Sequence, residues 1–160
     1  MKLMNSLFAG GLALICANVA LAEDTNVPYP EGFRSWFHTK TMLIQPGHAL
    51  ANPFQGIHHL YANPKALKGL QSGTYADGAV LVFDLLNYND KELTIQEGDR
   101  KLTGVMHRDA KKYAATGGWG FEGFAGNSKT ERLVKDSGAS CFACHTSEKK
   151  REYVFSELRP

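Results

Sequence analysis

Cysteine is scarce in this chain, with three in 160 residues. Charge of one sign is missing too: 18 Lys and Arg against 16 Asp and Glu leave a formal charge of +2. A nearly neutral body argues against nucleic acid as a partner. The one basic cluster, Lys149 to Arg151, is short and reads as solvated surface. Long amphipathic stretches with a 3.6-residue period are absent, which argues against a helical bundle. No repeat, low-complexity segment or internal linker breaks the chain. What remains is 43% hydrophobic and 21% charged, the balance of one folded domain large enough to bury a core.

The one long apolar run opens the chain. Lys2 precedes "LFAGGLALICANVA", and Ala20-Leu21-Ala22 fits the small-x-small rule for signal cleavage before Glu23. The run is too short and too rich in small residues for a comfortable membrane span. Lipid attachment through Cys16 would want a small residue before it, and Ile15 stands there. Residues 1–22 are therefore expected to be a signal peptide for export to a bacterial periplasm, and residues 23–160 a single domain. Its removal takes away Cys16 and its one charged residue, Lys2, so the formal charge falls from +2 to +1.

The two remaining cysteines stand together in "CFACH", Cys141 to His145. Zinc would need two further ligands, and neither another Cys pair nor a His-x3-5-His pattern follows. A redox dithiol would sit early, after a strand, and a disulfide across two residues is an awkward closure. Cys-x-x-Cys-His reads as covalent haem c attachment. Positions i and i+3 share one helix face, so Cys141 and Cys144 can form two thioethers to one porphyrin. His145 then turns to the iron as axial ligand. Export agrees, since cytochromes c mature outside the bacterial cytoplasm.

The second axial position decides function. The motif ends 15 residues before the C-terminus, and the tail holds neither Met nor His. Upstream candidates are Met42, Met106, His38, His48, His58, His59 and His107. Each is more often structural or exposed than a ligand. The leading reading is an open position, or one holding weakly bound water.

The chain reads as α+β: a strand-rich antiparallel sheet, a few short helices and haem c carried on a C-terminal helix. A short helix is expected within 29–40, with Trp36 and Phe37 inward, followed by a strand at "TMLI". Pro46 to Gly56 reads as loop and "IHHLYA" as strand. "NPKALKGLQSG" has Asn63 as N-cap, Pro64 at the first helical position and Gly69 or Gly73 near the end. The apolar run Ala79 to Leu86 reads as a central strand. Residues 92–109 read as two strands around Glu97-Gly98-Asp99. "GGWGFEGFAG" reads as a strand with a bulge or a close backbone approach. Residues 131–146 read as the haem-bearing helix.

"GIHHLYANPKAL", "YADGAVLV", "GGWGF" and "CFACH", in that order, resemble the cytochrome P-460 family over most of the exported chain. The resemblance implies a strand-rich periplasmic haem c protein, usually a homodimer, with a five-coordinate, His-ligated iron. One branch of the family oxidises hydroxylamine and uses a lysine cross-linked to the porphyrin. Phe83 stands at the matching position in "DGAVLVFD", and a phenyl ring cannot form that bond. The sequence looks closer to the cytochrome c′-β branch, in which phenylalanines cap the distal haem face. Phe54 and Phe83 are the matching positions. In a strand, Ala79, Leu81, Phe83 and Leu85 would share one apolar face.

The resemblance thus implies a gas-binding cytochrome more than an enzyme. An apolar cap withholds the hydrogen bond that favours dioxygen, whereas nitric oxide bonds ferrous haem without it. Nitric oxide, and more weakly carbon monoxide, are the expected ligands, for scavenging, storage or transport of nitric oxide. The alternatives are a hydroxylamine or nitric oxide oxidoreductase of the P-460 type, and an electron-transfer cytochrome c with a periplasmic donor. Arg34, Arg108 and Arg132 are candidate partners of the haem propionates.

Overall fold

Five strands pair antiparallel in their sequence order: β1 (Phe37–Ile44), β2 (Gly56–Ala62), β3 (Val80–Lys91), β4 (Thr94–Arg108) and β5 (Trp119–Ala125). The computed structural model describes residues 26–159; the expected signal segment lies outside the described residues. Among the described residues, three short helices accompany the sheet: α1 (Ala51–Phe54), α2 (Pro64–Ser72) and α3 (Ala139–His145). The expected α+β architecture is what forms.

The apolar run expected to be a central strand is β3, third of the five. Successive side chains of a strand point to opposite faces. Leu81, Phe83 and Leu85 therefore share one face of β3, and Val80, Val82 and Asp84 the other. Register carries this split across the sheet. Phe83 stands opposite Leu60 of β2 and Gly104 of β4; Leu81 stands opposite Ala62 and Met106; Met106 stands opposite Phe121 of β5.

Each face has its own core. On the Phe83 face, α2, α3 and the C-terminal tail cover one end of the sheet, burying Ala62, Ala66, Tyr75, Leu81, Trp119, Phe121 and Val154. On the other face, Val27, Phe33, Tyr61, Val82, Val105, Tyr113 and Phe124 are buried with Tyr29 and Trp36 against them. Full burial of Val82, Leu85 and Phe124 contributes about 1.5–3 kcal/mol each.

Helix α2 begins and ends as its sequence suggests. Asn63 caps it, accepting from the Ala66 amide at 2.8 Å, Pro64 follows, and Gly73 closes it in the left-handed conformation. Gly69 lies inside, pressed on Tyr75: a Cβ there would fall 2.1 Å from the ring.

Three local expectations change. The 29–40 segment makes only a 3-10 turn at Phe33–Ser35, and the strand already starts at Phe37. Phe33 points inward while Phe37 is 46% exposed. The Pro46–Gly56 loop contains the short turn α1. There is no turn at Glu97-Gly98-Asp99: β4 runs unbroken, and the hairpin reverses at Glu92 and Leu93, both with positive φ. Gly98 sits instead at a close approach, where a Cβ would lie 3.2 Å from the Asn87 carbonyl oxygen. For β5 the second of the two expected alternatives holds: it pairs with β4 without a bulge. Its glycines serve close approach, Gly120 against Tyr113.

Asn63 is the joint between α2 and β3. Its Oδ1 also accepts from Val80 N, and its Nδ2 donates to the Gly78 carbonyl. Asn63→Ala removes the cap and strands two backbone groups, so a loss of about 1–3 kcal/mol in unfolding free energy is expected. Denaturant titration checks this; a loss below about 0.5 kcal/mol would contradict the joint.

Candidate functional site

The segment expected to carry haem forms a shorter helix than expected. Residues 131–133 pair instead with the outer edge of β5, through the Phe124–Arg132 bridge and the Leu133 amide to the Gly123 carbonyl at 2.8 Å. Ser137 and Gly138 have positive φ, which a helix cannot accommodate, so α3 starts at Ala139. Asp136 holds that start. Its carboxylate accepts from the amides of Gly138 (3.1 Å) and Ser140 (2.9 Å). The hydrogen bonds with Ser140 hold its carboxyl below the usual range.

Cys141, Cys144 and His145 follow within two turns of α3. Cys141 is half-buried and Cys144 exposed. Burial pushes the Cys141 thiol up, and Asp136 adds to this. His145 is half-buried, its ring 4.9 Å from Phe121 and 4.9 Å from Phe155. Its Nδ1 lies 2.7 Å from the Tyr153 carbonyl oxygen. A carbonyl only accepts, so Nδ1 carries the proton and Nε2 is left as the lone-pair nitrogen. Burial, opposed by the Tyr153 carbonyl, pushes this imidazole below the ordinary histidine range. The result is a neutral imidazole held in one tautomer, the arrangement usual for a metal-binding histidine.

The Tyr153 carbonyl is itself clamped. Glu152 and Tyr153 both have positive φ. Trp119 Nε1 donates to the Glu152 carbonyl at 2.9 Å, the Tyr75 amide donates to the Glu152 carboxylate, and the Tyr153 amide donates to the Glu148 carbonyl. Sequence reasoning missed this acceptor, because a backbone carbonyl leaves no residue signature.

Phe54 and Phe83 come together. Their rings meet edge to face, centroids 5.8 Å apart, and both are half-buried. Lys101 positions Phe54 by donating to the carbonyls of Pro53 (3.1 Å) and Gln55 (2.6 Å). Phe83 lies on the sheet face that α3 covers farther along. Beside it in the same row stand Gly104 and Gly123, which keep this stretch of β4 and β5 at backbone level. Leu60, Leu102 and Met106 share the face.

Of the upstream Met and His residues, three belong to this face: Met42, His58 and Met106. His58 is 1% exposed and stacks on Phe83 at 4.4 Å. The others are engaged elsewhere: His38 and His59 with Thr41, His48 with the Leu50 amide, His107 against Tyr113. The three arginines are also engaged: Arg34 with Glu97, Arg132 with Glu122, and Arg108 with the carbonyls of Tyr75 and Gly117.

A flat apolar macrocycle fits these residues. Two thiols and an oriented imidazole sit on one helix, beside a sheet face that carries aromatic rings and a two-glycine step. Fold and site together define a strand-rich haem protein. A family model described as Cytochrome P460 matches residues 30–156. The chain belongs to the cytochrome P460 family. No curated protein matches it.

The depressed Asp136 carboxyl makes the α3 anchor pH-dependent. Its stabilisation is complete above the unfolded value of about 4 and is lost as pH falls through the lower folded value. The gap in thermal midpoint between wild type and Asp136→Ala is expected to be full near neutrality and to close in acid. A gap that stays constant with pH would contradict the assignment.

Proposed function

We propose that this chain is an exported, periplasmic cytochrome of the c′-β type that binds nitric oxide, and more weakly carbon monoxide. Cys141 and Cys144 would hold haem c through thioethers, and His145 Nε2 would ligate its iron. When bound, haem would supply an iron able to take up a small diatomic ligand. The protein supplies the rest. The Tyr153 carbonyl orients His145. Phe54 and Phe83 exclude water and offer no charge. The family's homodimeric assembly is part of the reading, and scavenging or storage of nitric oxide is the role it suggests.

The observation that carries this reading is Phe83, on the α3-bearing face of the central strand with Phe54 packed on its ring. Hydroxylamine oxidation of the P-460 type needs an amine at that position, and a phenyl ring has none. His145 bonds to a neutral carbonyl rather than a carboxylate. It is thus a weaker donor than an imidazole paired with a charged partner, which suits displacement by nitric oxide.

The test uses protein matured in a periplasm. One haem mass is expected to survive denaturation and to be lost on chemical thioether cleavage. Ferric and ferrous spectra are expected to be high-spin, with rapid uptake of nitric oxide and carbon monoxide. A low-spin ferrous spectrum that resists carbon monoxide would overturn the reading in favour of electron transfer. Haem retained after thioether cleavage would overturn it in favour of the cross-linked oxidoreductase.

A further inference from the structure

Among the described residues, five buried side-chain polar atoms have no hydrogen bond: on Thr39, His58, His59, Thr103 and His107. His59 Nε2 is nonetheless 2.7 Å from a Glu97 oxygen. His59 and Thr103 stand opposite Asp84, and His107 opposite Val80, so these three belong to the face away from Phe83. Thr39 sits in the irregularity of the β1 edge. Only His58 belongs to the Phe83 face. It stands opposite Leu85, diagonal to Phe83, and its ring lies 4.4 Å from the Phe83 ring at 34°. Its Nδ1 has no partner.

A buried polar atom is rarely left unpaired without a reason, and a ligand-facing role is one. Burial, with Lys40 and then His59 nearby, pushes the His58 imidazole down to about 4, so it is neutral at working pH. A neutral imidazole carries one N–H donor and one lone-pair acceptor. Lys40, opposite Leu60 in the same row, is a charged donor on this face; His58 is the polar group whose ring lies against Phe83.

We propose that His58 is the hydrogen-bonding group of the ligand pocket, acting beside the Phe83 ring. It widens the ligand class from uncharged diatomic gases to small anions that accept a hydrogen bond, the chemistry shared by nitrite and azide. Such anions bind ferric rather than ferrous haem, so the same pocket would serve two ligand classes in two oxidation states. Phe83 then has a second part, as the surface that holds the imidazole plane. The proposal rests on the proposed function, because it needs an open iron position on this face.

The probes are azide and fluoride on the ferric haem-loaded protein, and carbon monoxide on the ferrous form. His58→Leu is expected to lower azide and fluoride affinity about tenfold or more. Carbon monoxide affinity is expected to stay within about threefold, the lost hydrogen bond mattering little to a neutral ligand. His58→Gln, which keeps a donor, is expected to restore most of the anion affinity. A packing role alone would predict no such rescue. In wild type, exchange into D2O is expected to shift the iron–fluoride stretching band, a readout that needs no variant. The proposal is overturned by equal anion affinity in wild type and His58→Leu, or by no D2O shift. It is also overturned if wild type is low-spin and His58→Leu turns high-spin, since His58 would then be the second axial ligand. Wild-type protein that takes up no carbon monoxide, with spectra unchanged in His58→Leu, would defeat the proposed function instead.

Discussion

The period-two alternation of β3 is the constraint on which the site depends. One residue of slip would send Phe83 into the opposite core and bring Asp84 to the apolar face. Asp84 works against that slip. It is fully buried, 2.6 Å from Arg100 Nε and 3.6 Å from Arg34 Nε. A buried carboxylate separated from its guanidinium partners costs about 3–5 kcal/mol, far more than one apolar contact returns. The ion cluster on one face thus selects the register that presents Phe83 on the other. The irregularities of the β3–β4 ladder begin only after Leu85, beyond the site.

The two halves of the site are held in different ways. The His145 side is built from backbone. Tyr153 presents its carbonyl because Trp119, Tyr75 and the Glu148 carbonyl pin the two positive-φ residues of the tail. Gly117 admits this packing, since a Cβ there would lie 2.6 Å from the Tyr153 ring. The Phe83 side is built from side chains on a rigid sheet, with Phe54 brought in on a turn that Lys101 ties to β4. In the proposed function, one half would govern how strongly the imidazole donates and the other what reaches the far side of the pocket.

Much of this was legible in the sequence, for physical reasons. The "CFACH" spacing is a helical i,i+3 pattern, and α2 carries its own cap and stop residues. The β3 run is long, β-branched and flanked by turns. What escaped the sequence depended on partners far along the chain. Residues 131–138 look helical alone but spend their backbone bonds on β5 and on the turn before α3. Gly98 looks like a turn residue, yet the reversal falls on Glu92 and Leu93, whose side chains give no sign of left-handed backbone. Of the neighbours His58 and His59, alternation says that one must face Phe83. Only the register with β3 says which.

The central claim is that the haem lies on the sheet face shared by α3, Phe83 and Phe54. Proton NMR of the haem-loaded ferric protein tests it most directly, through paramagnetic shifts of assigned aromatic rings. Phe83, Phe54 and Phe121 are expected to be strongly displaced, while Phe33 and Phe124 on the opposite face stay near their diamagnetic positions. Strong displacement of Phe33 and Phe124, with Phe83 and Phe54 unmoved, would contradict the account.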